Sequence, residues 1–196
     1  MTRILYIFLL SICIAACTTT PTEIKFYSLS LAESANVTDK NNGIEKLDRP
    51  ILQIAPVKLA DYLNTRNLIV QTNQYQINNA SHHLWAEDLD NAIAKSLLNK
   101  LQQLNDRFLF VNNSVFQKDK ARHLLQLEFS AFHATDQSRV ISRGKYSIFD
   151  NSHKLILLKN FSYSLTLEQD GYLHSIEKLN ETLDLLAADI ISSGQL

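Results

Sequence analysis

The chain has 196 residues, with 19 lysines and arginines against 20 aspartates and glutamates and a net charge of −1. Near-neutrality argues against a nucleic-acid groove, which needs a basic footprint, and four glycines and three prolines exclude a fibrous or low-complexity chain. The two cysteines, Cys13 and Cys17, both lie near the start, so neither an internal disulfide nor a cysteine-based metal site is expected in the body.

Arg3 precedes an apolar stretch that runs from Ile4 to Ala16, shorter than the roughly 20 residues a membrane-spanning helix needs. Small residues, Ala15 and Ala16, stand just before Cys17. This resembles a bacterial lipoprotein signal. The resemblance implies cleavage before Cys17, diacylglycerol on its sulfur and an acyl chain such as palmitate on the new amino terminus. Cys13, after Ile12, leaves with the signal. Residues 1–16 then form the signal peptide, residues 17–23 the lipidated cysteine and a short tether, and residues 24–196 one domain of ordinary size. Thr18, in place of an aspartate after the cysteine, reads as an outer-membrane sorting signal, so the expected location is periplasm-facing and lipid-anchored.

Residues 24–31 read as a strand, with Phe26 and Tyr27 adding β preference. A polar loop over 32–49 follows. Residues 51–57 are mostly apolar, as in a largely buried central strand, and Pro56 puts its end at an edge or turn. Short strands are predicted over 68–71 and 74–77, around Asn73. Trp85, Leu89, Ala92, Ile93, Leu97, Leu101 and Leu104 recur near helical spacing, which predicts a helix over 84–104 that Ser81 can cap. A short strand is predicted over 108–111. Residues 124–132 alternate, with Leu125, Leu127, Phe129 and Ala131 on one face. With 140–149 and 155–167 they predict an antiparallel meander turning near 136–138 and 150–152. Phe161 and Tyr163 share the apolar face of its last strand. After Asp170-Gly171, residues 176–191 return to helical spacing through Ile176, Leu179, Leu183, Leu186, Ala187 and Ile190. The expected fold is a single α+β domain, a mainly antiparallel β-sheet packed by two principal α-helices.

The residues offer no catalytic constellation. There is no phosphate-binding Gly-x-x-x-x-Gly-Lys loop and no nucleophile elbow. His82-His83 lacks the i,i+4 spacing of a zinc motif, and the other histidines are scattered, so no metal, cofactor or catalytic residue is expected. Trp85 reads as a large apolar anchor and Glu87 as a structural partner of the helix start or a nearby cation. Tyr62 and Leu63 suit a partner-binding surface, and Arg66 suits a carboxylate or a lipid phosphate. A packed connector with a solvent-facing Arg66 explains the same residues.

Ile54-Ala55-Pro56-Val57, then Leu59-Ala60-Asp61-Tyr62-Leu63, Arg66 and Leu68-Ile69-Val70, followed by Leu84-Trp85-Ala86-Glu87-Asp88-Leu89, resemble the ABC-type transport auxiliary lipoprotein family. The likeness is strongest over 24–104. Leu84 and Asp88 stand where the family commonly has arginine and proline, and Asn64-Thr65 replaces its usual Asp-Arg pair. The resemblance implies a noncatalytic outer-membrane lipoprotein of an MCE-type intermembrane lipid transport system. Its partners would be an MCE-domain tunnel protein and an inner-membrane component, with a homo-oligomeric ring at the tunnel end and phospholipid as cargo. Two other classes stay open: a stand-alone lipid-binding or lipid-chaperone lipoprotein, which needs an internal apolar pocket, and an envelope hydrolase, which needs a convergent polar site.

Overall fold

A computed structural model describes residues 23–29, 49–105, 107–112 and 122–193. The signal, Cys17 and most of the tether lie outside these residues. The described chain runs β1 (Lys25–Tyr27), β2 (Ile51–Ile54), β3 (Lys58–Leu59), a 3-10 turn (Asp61–Leu63), β4 (Asn67–Asn73), β5 (Gln76–Trp85), α1 (Leu89–Leu104), β6 (Leu109–Val111), β7 (Arg122–Thr135), β8 (Arg139–Phe149), β9 (Leu155–Thr166) and α2 (Tyr172–Ser193).

All nine described strands join one sheet organised around β7. β8 pairs with β7 from Leu124–Phe149 to Thr135–Arg139 and so takes up one whole edge. The other edge is shared by three successive pieces of the N-terminal chain. β2 aligns Ile54 with Leu125, β3 aligns Leu59 with Phe129, and β4 aligns Val70 with Ala134. β6 extends the sheet beyond β2, while β5 and then β1 extend it beyond β4.

This overturns the expected mainly antiparallel sheet. The pairings β1–β5, β2–β6, β2–β7, β3–β7 and β4–β7 are parallel, against the antiparallel β4–β5, β7–β8 and β8–β9. The cause is the long crossover between residues 71 and 122, which contains α1 and returns the chain to run alongside β2–β4. Ile51, Leu52 and Ile54 are buried and Gln53 is half-buried, as suits a central strand with parallel neighbours, β6 and β7, on both edges. The predicted meander is present as β7–β8–β9.

A bulge between Phe129 and Ala131 changes the face of β7. Leu125, Leu127 and Phe129 point to the helices, and beyond the bulge Phe132 and Ala134 continue that face, opposite Ser142 and Val140. Ala131, expected with the first three, falls on the other face beside His133. At Gly144 the backbone of β8 comes so close to β7 that an added Cβ would lie 2.0 Å from the Glu128 carbonyl oxygen, and the ring of Phe161 covers the space above.

Both helices lie over one face. α2 packs on β7, β8 and β9, α1 packs on β6, and the two helices pack on each other. Ile93, Leu97 and Leu101 of α1 and Leu183, Leu186 and Ile190 of α2 are fully buried with Leu52, Leu125 and Phe129 of the sheet. Between the helices, Ser96 Oγ donates to Asn180 Oδ1 at 2.9 Å and the nearly buried Lys100 Nζ meets Asp184 Oδ1 at 2.6 Å.

The first helix starts later than its apolar spacing suggests. Leu84 and Trp85 end β5, Asp88 occupies the N-cap position, and α1 begins at Leu89. Ser81 is a strand residue, not a cap. Trp85 keeps the helical phase only by coincidence, because its N–H is committed to the Arg66 carbonyl at 2.6 Å.

Candidate partner-binding surface

The bulge in β7 is matched by the segment that leaves β3. Ala60 N–H donates to Phe129 O at 2.9 Å, and the chain then turns through Asp61–Leu63 with Leu63 N–H on Ala60 O at 2.8 Å and Asn64 N–H on Asp61 O at 3.1 Å. Tyr62, half-buried, donates its hydroxyl to Ser130 O at 2.8 Å, the carbonyl of the bulge residue itself. Its ring meets His133 edge-on, with centroids 6.0 Å apart. Burial raises the Tyr62 pKa, partly offset by the Arg143 charge. Burial lowers that of His133, opposed by its hydrogen bond to Ala134 and aided by Arg143. Leu63 points into the core and is 1% exposed, so it supports this surface from beneath.

Arg66 is exposed and closes the turn. Its Nη2 donates to Ala86 O at 3.1 Å, while its own carbonyl accepts from Trp85. Asn67 Nδ2 adds a hydrogen bond to Ala80 O at 3.2 Å. Two sequence motifs, Tyr62–Arg66 and Trp85–Glu87, thus become one cross-tied surface. Between them and the start of α1 lies an open cleft of about 330 Å³ lined by Leu59, Leu63, Asn64, Arg66, Asp88 and Asp90, among others. Glu87 pairs with Lys95 on α1. Trp85 is buried and lies with Phe132, Tyr172, Ile176 and Leu179 around a cavity of about 20 Å³.

Sequence reasoning missed His83. Its ring stacks on Tyr172 of α2, centroids 3.8 Å apart, and its Nδ1 lies 2.8 Å from the Tyr27 hydroxyl, so it joins β1, β5 and α2. The connection expected around Asn73 is built by that residue's amide: Asn73 Oδ1 accepts from Tyr75 N–H at 2.9 Å and Asn73 Nδ2 donates to Gln76 Oε1 at 2.9 Å. Among the described residues, no group of three His, Cys, Asp or Glu side chains is placed to hold a metal.

The fold is similar to the crystal structure of an uncharacterized protein, with 20% identity, a TM-score of 0.72 and coverage of 88% of this chain and 99% of that one. It is also similar to a protein from Xanthomonas campestris, with 10% identity, a TM-score of 0.60 and coverage of 74% and 86% respectively. A dodecameric PelC from Paraburkholderia phytofirmans is similar at 9% identity and a TM-score of 0.48, over 74% of this chain and 86% of that one. No curated protein matches the sequence. The family model for the ABC-type transport auxiliary lipoprotein component matches residues 27–191, from the end of β1 through all but the last two residues of α2, the cross-tied motifs included; the chain belongs to that noncatalytic transport family.

Proposed function

We propose that the chain is the outer-membrane lipoprotein subunit of an MCE-type intermembrane phospholipid transport system, anchored through acylated Cys17. In this reading it docks on the periplasmic tunnel protein, as a ring of identical copies, through the surface of Tyr62 and Arg66 with Leu63 as its support. The observation that favours docking over lipid capture is the close packing of α2 on the sheet among the described residues. The cavity beside Trp85, between sheet and α2, measures about 20 Å³, less than the share of one water molecule in the liquid. Ligand pockets run to several hundred Å³. A phospholipid chain has no room between sheet and α2 at that point, which supports a reading in which cargo passes beside the domain, within a tunnel that the assembly surrounds. The cleft at Arg66 is large enough for a partner's side chains but is open and flanked by the carboxylates of Asp88 and Asp90. That mixture of one cation and two anions suits a polar protein surface better than an anionic headgroup.

The test is affinity purification of the tagged full-length protein from detergent-solubilised envelopes. An MCE-domain protein should be recovered in stoichiometric amount, and Arg66→Glu should reduce its recovery while leaving the protein folded and membrane-bound. Stoichiometric recovery of an unrelated complex refutes the reading. Native mass spectrometry that finds a lipid on each monomer would favour the stand-alone carrier instead.

A further inference from the structure

The hairpin β4–β5 stands apart chemically. From Asn67 to Ser81 there is no charged residue in fifteen positions, although a fifth of the chain is charged. Every residue from Asn73 to Asn79 is exposed, and Tyr75 at the tip is 91% exposed. The tip is nonetheless well built. Asn73 bonds both Tyr75 and Gln76, Gln71 Nε2 donates to Asn73 O at 2.9 Å, and Thr72 Oγ1 reaches Gln76 O at 3.4 Å. A tyrosine side chain 91% exposed at the end of an ordered, uncharged turn adds nothing to the core of the domain.

Strand register fixes where this tip lies. β1 runs parallel to β5, with Lys25 beside His83, so the chain before Lys25 leaves towards the Gln76 end of β5. From His83 to Gln76 is seven residues, about 23 Å of strand. From Lys25 back to Cys17 is eight residues, a reach of at most about 28 Å. The chain between Lys25 and Cys17 is therefore long enough to bring the anchor level with Tyr75, at the end of the sheet from which β1 departs. Ile24, 52% exposed, is the first step on that path. The tip also projects. Gln71 O accepts from Asp136 N–H at the β7–β8 turn, and the hairpin continues three residues further to Gln74, about 10 Å. That holds Asp136 and Arg139 back from whatever the tip meets. The β8–β9 turn, at Asp150–Lys154, is at the opposite end of β7.

We propose that the β4–β5 tip, led by Tyr75, rests in the interface of the phospholipid bilayer that carries the Cys17 anchor. The occupant is the bilayer because β1 starts towards the tip, only eight residues separate Lys25 from the anchor, and the hairpin has no charge to desolvate. Tyrosine suits this depth, with a ring that is apolar and a hydroxyl that stays wet. The contact turns a loose anchor into a fixed orientation, with the β8–β9 end directed away from the membrane. This rests on the proposed acylation of Cys17.

The experiment uses the mature acylated protein in vesicles of phosphatidylethanolamine and phosphatidylglycerol. Because lipid occupies the Cys17 sulfur, Tyr75→Cys and Ser152→Cys each supply a single reactive thiol for a polarity-sensitive dye. The expected result is a blue shift at position 75 and loss of its emission to lipids brominated in the acyl chain, with aqueous emission at position 152. If the protein floats with vesicles but position 75 keeps its aqueous emission, or shifts only when the tunnel protein is added, the inference is overturned and the anchor stands. If the protein does not float with vesicles, the anchor reading fails and the inference with it.

Discussion

Arg66 and Ala86 are twenty positions apart, yet the guanidinium of one donates to the carbonyl of the other at 3.1 Å. The same Arg66 accepts from Trp85 N–H through its backbone. A single residue thereby fixes the turn after β3 to the junction between β5 and α1, and holds the cleft open beside the first turn of the helix.

Arg66→Ala removes one exposed charge-assisted hydrogen bond. The expected loss is about 1 kcal/mol of stability, read as a lower urea midpoint with an unchanged slope. Tyr62→Phe deletes the hydroxyl that satisfies Ser130 O and should cost a similar ~1 kcal/mol on the same measurement, because water can replace it at this partly open position.

Gly144→Ala should be far more damaging. Its Cβ would lie 2.0 Å from the Glu128 carbonyl oxygen and 2.8 Å from Phe161 Cζ. The ring can swing away, but the backbone of β7 is held by pairings on both edges. A destabilisation of about 3 kcal/mol or more is expected, measured by thermal or denaturant unfolding. Wild-type stability in this variant would mean that β7 and β8 are further apart than described.

Ser142 is fully buried, and its hydroxyl has no hydrogen-bond partner among the described residues. Ser142→Ala removes a desolvated polar group and leaves the apolar surroundings intact. It should be neutral or stabilising by about 1 kcal/mol, and a clear loss in the unfolding midpoint would point to a bound water.

Two histidines should titrate in opposite directions from their ordinary value of 6.5. The carboxylates of Glu168 and then Glu177 raise His174. Its contribution to stability is complete below 6.5 and is lost as pH rises through the raised value. Burial lowers His133, so its neutral ring supports the fold above 6.5, and that support is lost as pH falls towards the lowered value. Proton NMR of the imidazole resonances should find His174 titrating above 6.5 and His133 below it. His174→Gln should abolish the loss on the alkaline side.

The parts of the fold that were legible in the sequence are those with local periodicity. β7–β9 alternate, and α2 carries an unbroken apolar stripe. The parallel half was not legible, because Ile51–Ile54 finds its partner about seventy residues later and nothing local specifies that choice. The bulge at Ser130 has no glycine or other signal, and it moves Phe132 where Ala131 was expected. Trp85 misled by keeping the phase of α1 from inside a strand. Of the candidate surface, the residues were legible but their union was not: Arg66 and Ala86 look unrelated until β4 and β5 fold back on each other.

The arrangement along β7 has a kinetic consequence. A chain entering the periplasm from its N-terminus presents residues 51–71 first; β4 can pair with β5 and β2 with β6, yet β3 and the central edges of β2 and β4 stay open until residues 122–135 arrive. Such distant pairings close slowly, whereas β7–β8–β9 joins neighbours in sequence. The C-terminal half therefore serves as the template, and the N-terminal half must wait in an unfinished state for it. That waiting interval is when holdase chaperones would have most to protect.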